Sequence, residues 1–139
     1  MTKTTNYEIS KKLAEIGFKA KAEKCWAKIR HSVLSEIDLV NLDFTVPQHC
    51  DEWVLSYDLE TLLDALSSEI KGIKGECRYN IYFKMNKDGL WYENSCYCDS
   101  DQSCPVESYC HIEIKNNESL ADTAGRMIIL LHEKNLIKF

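Results

Sequence analysis

"CRYNIYFKMNKDGLWYENSCY", residues 77–97, decides the fold class. From Cys77 to Met85 an apolar set, Tyr79, Ile81, Phe83 and Met85, alternates with a more polar set, Arg78, Asn80, Tyr82 and Lys84. A period of two is that of a strand with one buried face. Asn86-Lys87-Asp88-Gly89 supplies turn chemistry, with glycine where a positive φ is needed. Leu90–Tyr97 can then return antiparallel. Beyond the connection CDSDQSCP (98–105), Val106–Ile114 reads as a third strand. It carries Cys110, Ile112 and Ile114 on one face and Tyr109, His111 and Glu113 on the other.

Helices are expected on both sides of this meander. Downstream, Ser119-x-x-Asp122 is a capping-box variant. Leu120, Ala124, Met127, Ile128 and Leu131 follow as one wide apolar stripe, with Asn135 as a C-cap. Asp122 and Arg126 stand at i, i+4, the spacing of a surface ion pair worth about 0.3–0.5 kcal/mol. Gly125 inside this helix costs about 1 kcal/mol relative to alanine, and it permits a close approach. Upstream, Asp58 has the position of an N-cap, and Leu59, Leu62, Leu63, Leu66 and Ile70 form a stripe. That helix is expected to end near Ser68–Ile70, ahead of Gly72 and Gly75. A first helix at about 6–16 is marked by Thr5-x-x-Glu8, by Ile9, Leu13 and Ile16, and by the stop at Gly17. Residues 18–33 fit a strand through Phe18, Ala20 and Ala22, and a helix through Ala22, Trp26, Ile29 and Val33. Residues 35–54 have extended character, interrupted by Pro47. The expectation is one α+β domain over 1–139: a small antiparallel sheet of three to five strands flanked by about three helices.

Composition is that of an ordinary globular protein, with 45% hydrophobic and 28% charged residues. No apolar run approaches the roughly 20 residues of a membrane span. The opening MTKTTNYEIS lacks the apolar region of a signal peptide. A cytoplasmic protein without membrane contact is therefore expected, and its seven cysteines are expected to be mostly unlinked thiols.

The net charge of −5 is unevenly spread. Residues 1–30 carry eight Lys or Arg against three Glu, whereas residues 31–70 carry nine acids and no Lys or Arg. Such blocks either create an interaction face or lie side by side and neutralise each other.

Chemistry is sparse. With five glycines the chain has no Gly-rich phosphate loop, and neither Gly-x-Ser-x-Gly nor His-Glu-x-x-His occurs. His31, His49, His111 and His132 are scattered. A non-enzymatic role follows as the expectation. Cys96, Cys98, Cys104 and Cys110, beside His111, are numerous enough for a tetrahedral zinc site. Their spacing is not the usual Cys-x2-4-Cys knuckle, and Cys110 also fits as an inward strand residue. No cofactor is expected, with zinc as the alternative.

Three stretches carry a resemblance: NYEISKKLAEIGF (6–18), YDLETLLDALSSEI (57–70) and NESLADTAGRMIILLHEKNLI (117–137). Together they resemble a group of small uncharacterised phage and prophage proteins. These open with a helix ending in Gly-Phe, carry a YDLETLLDALP helix and close with an ESLADTAARLLILL-type helix. Ser119 to Ala124 match the closing motif, while Gly125 stands where alanine is usual and Ser67 where proline often follows the second helix. The resemblance implies a mobile-element origin and a bacterial host cell. It supplies no catalytic residues.

Small phage proteins of this kind commonly bind and block host machinery, so the resemblance implies inhibition of a host defence complex, with a CRISPR–Cas effector as the first target class, by direct protein contact. Asp51, Glu52, Glu60 and Asp64 are the candidate partner-binding acids, set against a basic groove of a defence protein or ribonucleoprotein. The alternative is an RNA-binding inhibitor using Lys21, Lys24, Lys28 and Arg30 around Trp26. A small zinc-stabilised structural or regulatory protein is the third reading.

Overall fold

The structure is a computed structural model that describes residues 3–30, 35–43, 52–66, 69–74, 77–96 and 108–137. Helix α1 spans Tyr7–Glu15. Strands β1 (Lys24–Arg30), β2 (Ser35–Asn41) and β3 (Trp53–Ser56) follow. Next come the short helix α2 (Leu59–Ala65) and strands β4 (Glu69–Lys74), β5 (Cys77–Met85), β6 (Gly89–Cys96) and β7 (Ser108–Glu113). Helix α3, Leu120–Glu133, follows β7.

The fold is α+β, as expected, but its strands divide between two small antiparallel sheets. One runs β2-β1-β3 and the other is the meander β4-β5-β6-β7. The hairpin register pairs Phe83 with Tyr92 and Met85 with Leu90. Asn86 shapes the turn, its side-chain oxygen accepting from the backbone N–H of Asp88 and Gly89.

Residues 24–30 form a strand because β1 has a partner on each side. Its burial alternates, with Cys25 and Ala27 buried and Lys24, Trp26 and Lys28 partly exposed. That alternation, unlike the competing 3.6-residue pattern, matches a strand with one covered face. The helix expected to reach Ser68–Ile70 stops at Ala65 instead. Its C-cap Leu66 is already extended at φ −74°, ψ 120°. Ile70 and Gly72 belong to β4, paired with Ile81 and Tyr79 of β5. Ladder hydrogen bonds to an existing strand outweigh the weak propensity of a helical tail.

Each helix carries the caps that its orphan backbone groups require. Asn6, not Thr5, caps α1: its Oδ1 accepts from Ile9 N at 2.8 Å. Gly17, at φ +87°, closes α1 as Gly17 N–H bonds Ala14 O and Phe18 N–H bonds Leu13 O. Asn135, at φ +58°, likewise closes α3 from the position just after its C-cap, Lys134. Ser119 caps α3 by accepting from Asp122 N. The Asp122 carboxylate accepts from Asn6 N at 2.7 Å and so ties the starts of α1 and α3 together.

The expected Asp122–Arg126 pair is replaced by a stronger one. Arg126 Nε and Nη2 donate to the two Glu118 oxygens at 2.7 and 2.6 Å, and Nη2 also reaches Glu113 O. Asp122, turned toward Asn6, leaves Arg126 to fasten the β7–α3 connection.

Helix α3 is central, packing on α1, α2, β6 and β7. The main core joins Ile9 and Leu13 of α1, Leu62 and Leu66 around α2, Leu90, Tyr92 and Ile112 of the meander, and Ala121, Ala124, Met127, Ile128 and Leu131 of α3. Leu120 stands outside it at 42% exposure. Leu55 of β3 links this core to a smaller cluster around Cys25 and Ala27.

Candidate functional site

The segment before α1 positions everything around the first sheet. Thr5 N–H donates to Tyr57 O, and Thr5 Oγ1 accepts from Tyr57 N at 3.1 Å. Thr5 Oγ1 also lies 2.6 Å from Ser10 Oγ. The Thr5 carbonyl accepts from the Ser56 hydroxyl at 2.6 Å and from Trp26 Nε1 at 2.8 Å. Trp26 is thus half-buried and anchored by its polar edge. Tyr7 packs against it in a T-shaped contact, ring centroids 6.4 Å apart.

Two concave surfaces flank this anchor. The first is an open groove of about 400 Å³ lined by Tyr7, Lys11, Trp26, Lys28, Ile37, Glu52, Trp53 and Val54. Ile37 and Trp53 are 40% and 38% exposed, and Leu39, two residues along β2 from Ile37, is 38% exposed. Charges sit at the groove's rim: Lys28 Nζ lies 4.0 Å from Glu52 Oε2, with both side chains open to solvent. A pair in that setting contributes at most about 1 kcal/mol. Backbone bonding sets its geometry, since Lys28 N–H donates to Glu52 O at 2.9 Å and extends the β1–β3 ladder.

The second is a cleft of about 690 Å³ between the lead-in to β1 and helix α2. Lys21, Glu23 and Lys24 line it together with Asp58, Glu60, Thr61 and Asp64. The Asp58 carboxylate is committed to the helix, accepting from Thr61 N at 2.8 Å.

The sequence candidates therefore scatter. Glu60 and Asp64 share the cleft with Lys21 and Lys24, so an acidic block and a basic block far apart in sequence adjoin in space. Glu52 lies at the other surface beside Lys28. Arg30 ends β1 opposite Ser35, and Asp51 falls outside the described residues. Tyr7, Lys11, Ile37 and Trp53, which shape the groove, were not singled out from sequence. The alternation of Lys24, Trp26 and Lys28 marks only the β1 side of the groove, and it is legible only once residues 24–30 are known to be a strand.

Cys98 and Cys104 lie outside the described residues, and Cys96 ends β6 opposite Tyr79. Cys110 sits in a bulge where Cys110 and His111 together oppose Trp91, and it adopts φ +53°. It packs against the main core while His111 faces out, edge-on to Trp91 at 5.9 Å. Burial pushes the Cys110 thiol above its usual value, partly offset by the Lys134 ammonium. A thiol held protonated is a poor metal ligand and a poor nucleophile. Among the described residues no group of three or more His, Cys, Asp or Glu is placed to hold a metal ion. No helix among them is long and apolar enough to cross a membrane.

Compared with protein-family models, curated proteins and solved structures, the chain matches none of them.

Proposed function

We propose that this chain works by binding a protein partner rather than by turning over a substrate. Its setting is interference by a phage or prophage product with a bacterial host's defence complex, a CRISPR–Cas effector being the first target class. The setting rests on the resemblance of the three helical segments. The mode rests on one observation: Ile37 and Leu39, both large and apolar, share the face of β2 that pairs with Lys28 and Trp26, and each is about two-fifths exposed. Clustered exposed apolar side chains rimmed by polar ones mark protein interaction surfaces.

The test is co-purification of the tagged chain with the defence complexes of a bacterial host, followed by native mass spectrometry and a phage-plating assay. The proposal requires a complex of fixed stoichiometry and relief of defence in cells expressing the chain. Relief of defence without any complex, or with target molecules chemically altered by sub-stoichiometric protein, refutes it. The acid-based variant adds a requirement: reversing Glu60 and Asp64 to lysine should weaken the complex without changing the melting temperature.

Binding to RNA is a second reading, favoured by the placement of Lys24, Trp26 and Lys28 on one face of β1. It demands an RNA affinity that falls steeply with added salt.

A further inference from the structure

We infer that the groove lined by Tyr7, Lys11, Trp26, Lys28, Ile37 and Trp53 docks an extended segment of the protein partner in which a large apolar side chain stands next to Asp or Glu. This rests on the binding reading above and adds the surface and the sign of the partner.

The groove's body is apolar. Trp26 and Trp53 supply aromatic surface, and Ile37 and Val54 supply aliphatic surface. A volume of about 400 Å³ suits one or two large side chains, not a folded domain. The recognition surface is also held in place before any ligand arrives. Trp26 is fixed through Nε1 to the Thr5 carbonyl, and that carbonyl also accepts from Ser56. Such pre-organisation lowers the ordering cost of binding.

The sign of charge at the rim picks the partner. The whole chain carries −5, yet among the groove's lining residues Lys11 and Lys28 face a single acid, Glu52. The Lys28–Glu52 contact is long at 4.0 Å and solvent-exposed, so a partner carboxylate can compete for Lys28. A basic segment would instead meet two ammonium groups beside the apolar floor. Nucleic acid fits less well. Tyr7 and Trp26 are already in edge-to-face contact, and aliphatic Ile37 and Val54 offer no ring for base stacking.

A random dodecapeptide display library, with acidic and basic residues equally represented, is panned on the intact protein. Enriched peptides are then synthesised and titrated by fluorescence polarisation. The expected consensus is Trp, Phe or Leu beside Asp or Glu. Trp53→Ala is expected to weaken such a peptide at least about thirtyfold, as truncation of a central aromatic does. Lys28→Glu, a surface change, is expected to weaken it about tenfold through lost electrostatic complementarity, with the melting temperature as the folding control for both.

Basic consensus peptides, no enrichment, or peptides indifferent to both variants would each overturn the inference. So would displacement of the peptides by oligouridylate, or dimerisation of the chain that Trp53→Glu abolishes. A host partner still captured by Trp53→Glu protein leaves the binding function standing and removes this groove from it.

Discussion

Gly125→Ala tests the tightest packing in the fold. A Cβ at Gly125 would lie 2.5 Å from Ile9 Cγ2, 3.5 Å from Thr5 Cγ2 and 3.6 Å from Leu13 Cδ1. The last two are ordinary contacts. Carbon atoms pack best at about 3.5–4.0 Å, so the first demands that Ile9 or a whole helix shift by roughly 1 Å. Ile9 cannot swing aside: it is β-branched, stiff at χ1 in a helix, and 7% exposed. Two effects then oppose each other. Alanine is favoured over glycine inside a helix by about 1 kcal/mol, whereas overpacking a close contact costs about 1–3 kcal/mol. With the contact this short and the neighbour this stiff, overpacking wins, leaving a net loss of about 1–2 kcal/mol.

Urea unfolding followed by circular dichroism measures that loss, and the melting temperature should fall by roughly 3–8 °C. The same substitution in an Ile9→Ala background is the deciding comparison. There the clash is gone, so Gly125→Ala should stabilise by up to about 1 kcal/mol, giving a coupling of about 2 kcal/mol between the two sites. Equal effects in the two backgrounds, or a gain of stability in the wild-type background, would refute the reasoning.

Other perturbations probe other links. Glu118→Gln should destabilise by about 1–3 kcal/mol at neutral pH, because it breaks charge-assisted bonds to a half-buried Arg126. Burial raises the Glu118 carboxyl, but hydrogen bonds from Arg126, Thr123 and Lys115 N–H outweigh it and hold the group below its usual 4.5. A folded-state value below the unfolded one contributes stability that is lost on acidification. The gap between wild type and Glu118→Gln should therefore narrow below about pH 4.5 in thermal melts, and a gap independent of pH contradicts the ion pair. Thr5→Val strands Tyr57 N–H and removes the Ser10 contact, so it should cost about 1–3 kcal/mol, and Thr5→Ser, which keeps the hydroxyl, distinctly less; a Thr5→Val loss no larger than that of Thr5→Ser would contradict the hydroxyl's role. Iodoacetamide labelling followed by peptide mapping should find Cys110 slow at pH 8, with a rate that climbs only above the usual thiol value of 9.0. Lys134→Ala should slow it further, and labelling as fast as an exposed thiol would rule out the buried setting.

Local chemistry made much of this fold legible. The hairpin around Asn86–Gly89 and the caps at Asp58 and Ser119 depend on side chains bonding backbone a few residues away. Helix α1 likewise begins and ends within a residue of where its pattern places it. These are short-range bonds, and they form wherever the chain carries those residues.

What only the tertiary structure decided involves partners distant in sequence. Residues 24–30 carry both periodicities, and the β2 and β3 ladders select the strand. Ile70 continues the apolar stripe of α2, yet pairing with β5 draws it into β4. Asp122 and Arg126 have ion-pair spacing, but Asn6 claims the one and Glu118 the other. The charge blocks tell the same story, because Lys21 and Glu60 line one cleft although 39 positions separate them in the chain. The groove of Tyr7, Trp26, Ile37 and Trp53 draws on one helix and three strands, and no local pattern announces it. Propensity and spacing differ by fractions of a kcal/mol between alternatives, so a ladder, a buried carboxylate or a closely packed helix is enough to choose among them.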